Sequence, residues 1–187
     1  MGKVISLINS TPDGFVDSHY VIADAEFHEF VHGLLANTQT VAFGRNSFEL
    51  FQQVWPPILE KENQPNSQVK MAKALHDMPK IAYSSTLDTT TWNNSTIVKS
   101  LDAGQINQVK KDSSKDLLTI GSPGLVAALT KLNLVDEYYF AIQPVIAGGG
   151  NVRFFDKMNL DIRQPLKFVA ARPLKSGVVI LNYHKVN

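Results

Sequence analysis

Leu117-Leu118-Thr119-Ile120-Gly121-Ser122-Pro123-Gly124-Leu125-Val126-Ala127-Ala128-Leu129 reads as an apolar strand that passes through a glycine-bounded turn straight into an apolar helix. A helix that starts this way leaves its first backbone N–H groups without intrahelical partners, and glycines without Cβ let an anion approach them. Pro123 suits the first helical position, because it gives up an amide that is orphaned there and its φ is already helical. The competing reading is that a strand-to-helix turn needs glycine for geometry alone. A second segment, Thr40-Val41-Ala42-Phe43-Gly44-Arg45-Asn46-Ser47-Phe48-Glu49, repeats the layout and adds Arg45. Its planar, permanently charged guanidinium matches phosphate oxygens, although a first helical turn also carries solvated arginines. Two such turns together point to a dinucleotide.

Composition narrows the class. A chain of 187 residues, 44% hydrophobic and 19% charged, can bury one full core, and a single domain over residues 1–187 is expected. With 18 basic and 17 acidic side chains the formal net charge is +1, which supplies no broad field for nucleic acid or an anionic membrane. Any phosphate must then be held by local cations. Cysteine is absent, which excludes disulfides, thiolate catalysis and cysteine-bound metal, and the five histidines show no paired spacing that suggests zinc. The apolar start, Met1 to Ile8, is too short for a signal peptide or a membrane span. A cytoplasmic protein with a small-molecule substrate, no metal, no nucleic acid and no membrane partner is the expectation.

Along the chain, apolar runs alternate with segments of helical period, the pattern of an α/β fold around a mostly parallel sheet. Strands are expected at Val4–Ile8, Thr40–Phe43, Lys80–Ser84, Thr96–Lys99, Leu117–Ile120 and Tyr138–Ile146. Helices are expected at Ala23–Leu35, Phe48–Trp55, Val69–Leu75, Ile106–Lys111 and from Pro123 onward. Pro56-Pro57 should end the second helix, with Asn63–Ser67 a polar loop. Leu166–Ala171 and Val178–Tyr183 read as an antiparallel hairpin closing the sheet edge. Gly148-Gly149-Gly150 reads as a third ligand turn leading into an apolar helix at Phe154-Phe155, or else as a flexible connection. Trp55 and Trp92 read as packing residues.

Four segments in order carry a resemblance: Asp13-Gly14-Phe15-Val16; Phe43-Gly44-Arg45-Asn46-Ser47-Phe48-Glu49; Ala82-Tyr83-Ser84-Ser85-Thr86-Leu87 with Trp92-Asn93-Asn94; and Ile120-Gly121-Ser122 through Leu134-Val135-Asp136-Glu137. They resemble the dihydrofolate reductase superfamily, and within it the bacterial branch similar to the C-terminal reductase domain of the bifunctional riboflavin-biosynthesis deaminase-reductase. Pro144-Val145-Ile146-Ala147-Gly148-Gly149-Gly150 with Phe154-Phe155 extends the likeness, which covers Val4 to Phe155. No single motif is specific; their order and spacing are.

The resemblance implies a dihydrofolate reductase-like three-layer αβα sandwich, with a mostly parallel central sheet and a C-terminal antiparallel hairpin. It implies an NADPH-dependent oxidoreductase that transfers hydride to a small heterocycle, either a phosphoribosylated aminouracil of the riboflavin pathway or a pteridine such as dihydrofolate. Gly44, Arg45, Asn46 and Ser47 match a phosphate-binding turn in which serine here replaces the family's threonine. Ser84 and Ser85 match the strand end that holds the adenosine 2′-phosphate, and Lys99 is a possible helper or a solvated strand-end lysine. Gly121, Ser122, Gly124 and Leu125 match the pyrophosphate turn. Asp13 matches the acidic residue after the first strand and is the candidate for proton handling, although an Asp-Gly pair is also an ordinary turn. Dihydrofolate reductases place a substrate-binding carboxylate on the first helix, where this chain has Glu26, His28 and Glu29. Glu26 is the candidate retained, against a solvated helix face. Relatives are often homodimers. A nucleotide-binding protein that keeps the fold without turnover is the alternative.

Overall fold

The computed structural model describes residues 1–154, 156 and 163–186. In chain order the elements are β1 (Val4–Ser10), α1 (Ala25–Ala36), β2 (Thr38–Gly44), α2 (Arg45–Val54), α3 (Pro56–Glu60), α4 (Asn66–Asp77), β3 (Lys80–Tyr83), β4 (Ser95–Val98), α5 (Ala103–Asp112), β5 (Asp116–Ile120), α6 (Pro123–Lys131), β6 (Glu137–Ile142), β7 (Leu166–Pro173) and β8 (Val179–Lys185). The eight strands form one sheet in the order β4-β3-β2-β5-β1-β6-β8-β7. From β4 to β6 every pairing is parallel, and β8 and β7 then add antiparallel as the expected hairpin.

Strand periodicity divides the core into two layers. In β1, Ile5 and Leu7 face a cluster containing Phe27, Val31, Leu35, Phe43, Phe48, Met71 and Leu75, which belong to α1, β2, α2 and α4. Val4 and Ile8 face the opposite cluster, with Ile106 of α5 and Leu125, Val126 and Leu129 of α6. The result is helix, sheet and helix. Leu7, Phe43 and Leu118 are fully buried, each stabilising the fold by about 1.5–3 kcal/mol.

Several boundaries shift for identifiable reasons. Helix α2 ends at Val54, before Pro56-Pro57 as expected, and Pro56 then opens the short helix α3, where its missing amide is harmless. The polar loop ends earlier than expected, since α4 begins at Asn66. Strand β6 stops at Ile142, four residues before the apolar run does. Phe154 sits in a turn, and Phe155 lies outside the described residues, so the helix expected there is not part of the described fold.

Polar groups at the N-terminal edge of the sheet are matched internally. The Asp116 and Asp136 carboxylates accept from the Lys3 and Val4 amides, and Asp136 also pairs with Lys110 at 2.6 Å. Lys80, 1% exposed, donates through Nζ to the carbonyl oxygens of Leu75, Met78 and His76 at 2.6, 2.7 and 3.3 Å. Its ammonium thus caps the C-terminal end of α4 while lying 4.8 Å over the Trp92 ring. Lys80→Met keeps the aliphatic stem and strips the donors, leaving buried carbonyls unsatisfied. It is expected to lower stability by about 2–3 kcal/mol, read as a reduced urea midpoint with an unchanged slope.

Candidate functional site

The two glycine turns meet. Strands β2 and β5 are neighbours, so Gly44 and Gly121 end side by side at the C-terminal edge of the sheet. The Gly44 amide donates to Ser122 Oγ at 3.0 Å, and the Ser122 amide donates to Ser47 Oγ at 2.9 Å. Ser122 makes this reciprocal pair possible by adopting a left-handed conformation, φ 56° and ψ 54°, directly after Gly121 at φ 65°. A side chain at 122 that lacks a hydroxyl would bear that strain without the bond. The first intrahelical bond of α6 runs from the Val126 amide to the Ser122 carbonyl, so the Gly124 and Leu125 amides precede the helical ladder. A Cβ at Gly44 would lie 3.7 Å from that of Leu125, which shows how closely the two helix starts approach.

Charge enters from α2. Arg45, half exposed, donates through Nη1 to Thr86 Oγ1 at 2.8 Å and through Nε to Glu49 at 3.1 Å. Thr86 lies in the loop after β3, so the guanidinium spans from the Gly44 turn to the Ser84–Ser85 strand end. Ser84 is buried, and its oxygen accepts from the Thr86 and Leu87 amides, which shapes that loop. Ser85 and Asn46 are exposed beside it. Lys99 is bound within the same loop, to Asp88 at 2.6 Å and to the Leu87 carbonyl. Thr86 escaped the sequence reading, because a threonine in a turn-rich stretch has no signature until Arg45 reaches it.

The third wall is the exit of β1. Asp13 accepts from the Ala147 and Gly148 amides at 3.1 and 2.8 Å, and Asp17 accepts from the Asn151 and Val152 amides. Tyr20 donates its hydroxyl hydrogen to the Gly149 carbonyl at 2.6 Å. These contacts zip the 11–20 segment to the glycine-rich segment after β6. The Gly148 amide of that turn and the flanking Ala147, Asn151 and Val152 amides are therefore taken by the chain's own carboxylates. Gly150 is required here, since a Cβ would lie 2.5 Å from the Phe15 ring and 2.7 Å from Asp17. The Thr11 hydroxyl, together with the two amides, holds the Asp13 carboxyl down at about 2. It is an ionised acceptor at neutral pH. Glu26, near the start of α1, accepts from the Lys175 amide at the hairpin turn at 2.9 Å. The structure thus brings Gly44, Arg45, Ser47, Ser84, Gly121, Ser122, Gly124 and Leu125 to one edge, and places Asp13 and Glu26 in clasps to the segment after β6 and to the β7–β8 turn.

Topology explains why a crevice opens at this edge. Helices α1 and α2 leave β1 and β2 over one face of the sheet, whereas α6 leaves the intervening β5 over the other. Ligands of open α/β sheets bind where neighbouring connections part in this way. A separate hollow of about 470 Å³, lined in part by His32, Ala36, Gln39, Asp77 and Lys115, lies at the opposite edge of the sheet. Among the described residues no group of three His, Asp or Glu side chains could hold a metal ion, and no helix is long and apolar enough to cross a membrane.

The profile of the RibD C-terminal domain matches residues 3–180. The chain belongs to the RibD C-terminal domain family. The protein named uncharacterized protein YyaP of Bacillus subtilis (strain 168) is 29% identical over 189 residues, covering 97% of this chain and 94% of that protein. Among solved structures, a putative riboflavin biosynthesis protein from Shewanella sp. PV-4 superposes with a TM-score of 0.70 at 17% identity, over 99% of both chains. Dihydrofolate reductase from Enterococcus faecalis, solved with NADP(H), gives 0.63 at 13% identity, over 100% of this chain and 98% of that one. At these identities the structural likeness establishes the dihydrofolate reductase-like fold.

Two outcomes follow for this member of the RibD C-terminal domain family. Ser122→Ala leaves the Gly44 amide without its acceptor and should cost about 1–3 kcal/mol in urea unfolding. Asp13 has a folded value of about 2 against an ordinary 3.8, so its clasp is fully present above 3.8 and lost as pH falls toward 2. Asp13→Asn should flatten the loss of stability across that acid range, followed by tryptophan fluorescence against pH.

Proposed function

We propose that the chain is an NADPH-dependent reductase that delivers hydride to a carbon of a small heterocyclic substrate. The observation that carries this reading is the stitched pair of turns, in which two helix starts and one guanidinium converge on a single edge. Test residues for a dinucleotide fit it. The Gly124 and Leu125 amides suit a pyrophosphate at the start of α6, and Gly44 leaves room beside Leu125. Arg45, with Thr86 and Ser85, suits the additional phosphate that separates NADPH from NADH. Asn46 and Ser47 complete that turn, and Ser84 shapes the loop that presents Thr86 and Ser85.

When bound, the nicotinamide supplies hydride to a C=N or C=O carbon, and a proton reaches the neighbouring nitrogen or oxygen. The chain's own residues hold donor and acceptor in register and exclude water. In this reading Asp13 and Glu26 position the walls of the crevice: each carboxylate already accepts backbone amides, and Asp13 stays ionised at working pH. The same engagement favours a second reading, nucleotide binding without turnover, since it leaves neither carboxylate free to donate.

Thermal shifts with NADPH and NADH come first. NADPH should raise the melting temperature more than NADH, and Arg45→Ala should abolish that excess. Equal shifts from the two cofactors would remove the phosphate assignment. Oxidation of NADPH, followed at the nicotinamide absorbance with uracil-type and pteridine substrates, then separates the two readings, because binding without oxidation throughout supports the second.

A further inference from the structure

Most polar groups at the N-terminal edge of the sheet are matched, and two that are not open onto a hollow. Helices α1 and α4 pack together and both end there, so that His32, Leu35 and Ala36 of one and Ala74 and Asp77 of the other, with Met78 just beyond, line a shared space of about 470 Å³. Spacings of three and four residues put each set on one helical face. The alanines leave the room. Thr38 and Gln39 close the space at the start of β2, where a register shift between Thr38 and Thr40 bends the strand beside it. Ligand pockets run from about 300 to 1,000 Å³, so a small organic molecule fits a hollow of this size.

Charge selects what kind of molecule. Two helix C-terminal ends border the hollow, and their carbonyls would repel an anion if left open. They are covered. The Leu34 carbonyl of α1 accepts from the Thr38 hydroxyl at 2.9 Å and the Asn37 amide at 3.3 Å. The last carbonyls of α4 accept from the buried Lys80 ammonium and from the Asn94 side chain. Of the three charged or titratable side chains on the hollow, Asp77 is drawn to Lys73 at 2.9 Å. Lys115 and His32, both exposed, have no hydrogen-bond or ion-pair partner among the described residues. The free charge is therefore positive.

We propose that this hollow binds a small organic monocarboxylate, with the carboxylate held by Lys115 Nζ and the His32 ring and the apolar body against Leu35, Ala74 and Met78. An ammonium gives a carboxylate a charge-assisted bond, and an imidazole offers at least one N–H in either tautomer. A dianion such as a phosphate ester would stand near Asp77 with a single permanent cation to balance it. A wholly polar anion would leave the apolar walls in water. The site is separate from the crevice: β2 runs from the hollow at Thr38 to the phosphate turn at Gly44, about 20 Å away. Its ligand is thus a different molecule from any substrate reduced at the other edge.

Benzoate, 3-phenylpropanoate and octanoate are suitable probes, with benzamide, benzylamine and phenyl phosphate as neutral, cationic and dianionic controls. Titrating the isotope-labelled whole chain and following its amide resonances reads affinity and place together. A carboxylate should saturate, with shifts grouped at residues 32–39, 74–78 and 115, and each control should bind about 10-fold more weakly or less. Lys115→Gln keeps most of the stem and removes the charge, and should weaken the carboxylate by about 10-fold. Ala36→Leu fills the hollow and should abolish binding. Its melting temperature should stay that of the wild type, because both residues are good helix formers and position 36 is exposed.

Absence of saturable binding by all three carboxylates would overturn the proposal. Benzamide binding as tightly as benzoate would do the same, since the hollow would then be merely apolar, and so would tighter binding of phenyl phosphate. Shifts confined to the Gly44 and Ser122 turns would move the carboxylate to the phosphate edge and sink the site. Unchanged affinity in Lys115→Gln would remove the charge argument, and unchanged affinity in Ala36→Leu would remove the hollow. None of these readouts involves NADPH, so the reductase reading and this site fail separately.

Discussion

Everything at the C-terminal edge of the sheet depends on the two hydrogen bonds that exchange Gly44, Ser47 and Ser122 between adjacent strand ends. Each of these groups would otherwise turn inward on its own helix, as a serine at a helix start usually does when it caps the amides two or three residues on. Ser122 has no such cap bond; its oxygen is aimed across at the neighbouring turn instead. The consequence is geometrical. Helices α2 and α6 start from a shared frame, so their leading amides hold a fixed relation to one another although the helices lie on opposite faces of the sheet.

The frame is rigid because the strands beneath it are. Every residue of β5, all but Asn9 of β1 and four of the seven in β2 are buried, and the parallel register between Ala42 and Thr119 or Leu7 and Ile120 leaves no freedom to slide without carrying apolar side chains to the wrong face. At the hairpin end the restraint weakens. Every residue of β7 is exposed, and the register shift between Phe168 and Ala170, with Pro173 closing the strand, interrupts an edge that would otherwise offer a long flat ladder.

Much of this was readable in the sequence, and what escaped it did so for one reason. Strands and helices declare themselves through period, which is local: Ile5 and Leu7 against Val4 and Ile8 already divide the core between two layers. The glycine turns are local as well, and so is the order of segments that carries the family resemblance. The clasps are not. Asp13 meets Gly148 and Asp17 meets Asn151 across more than a hundred residues of chain, so an Asp-Gly turn and a triple-glycine run look like two independent features, one catalytic and one ligand-binding. Folded together, each explains the other. Strand β6 ends early because the Gln143 amide, bonded to the Ser10 carbonyl, is followed by Pro144, which has no amide to donate, while the Gln143 side chain bonds Asn9 and the Ile22 amide far along the chain. Helix α3 escaped for a different reason: the proline that stops α2, as expected, is equally fit to start the next helix.

The distribution of satisfied and unsatisfied groups is itself an argument about where the molecule works. Around the N-terminal edge, carboxylates are matched to amides and lysines, and a buried ammonium is matched to three carbonyls. At the other edge stand amides ahead of their helical ladder, a half-exposed guanidinium and a buried imidazole lacking a partner. What marks the binding edge is the amides left ahead of their helical ladder beside a crevice that the topology must open, with a guanidinium among them; buried atoms without partners are not confined to it, since His76 Nδ1 and Trp92 Nε1 lie beside Lys80 at the other end.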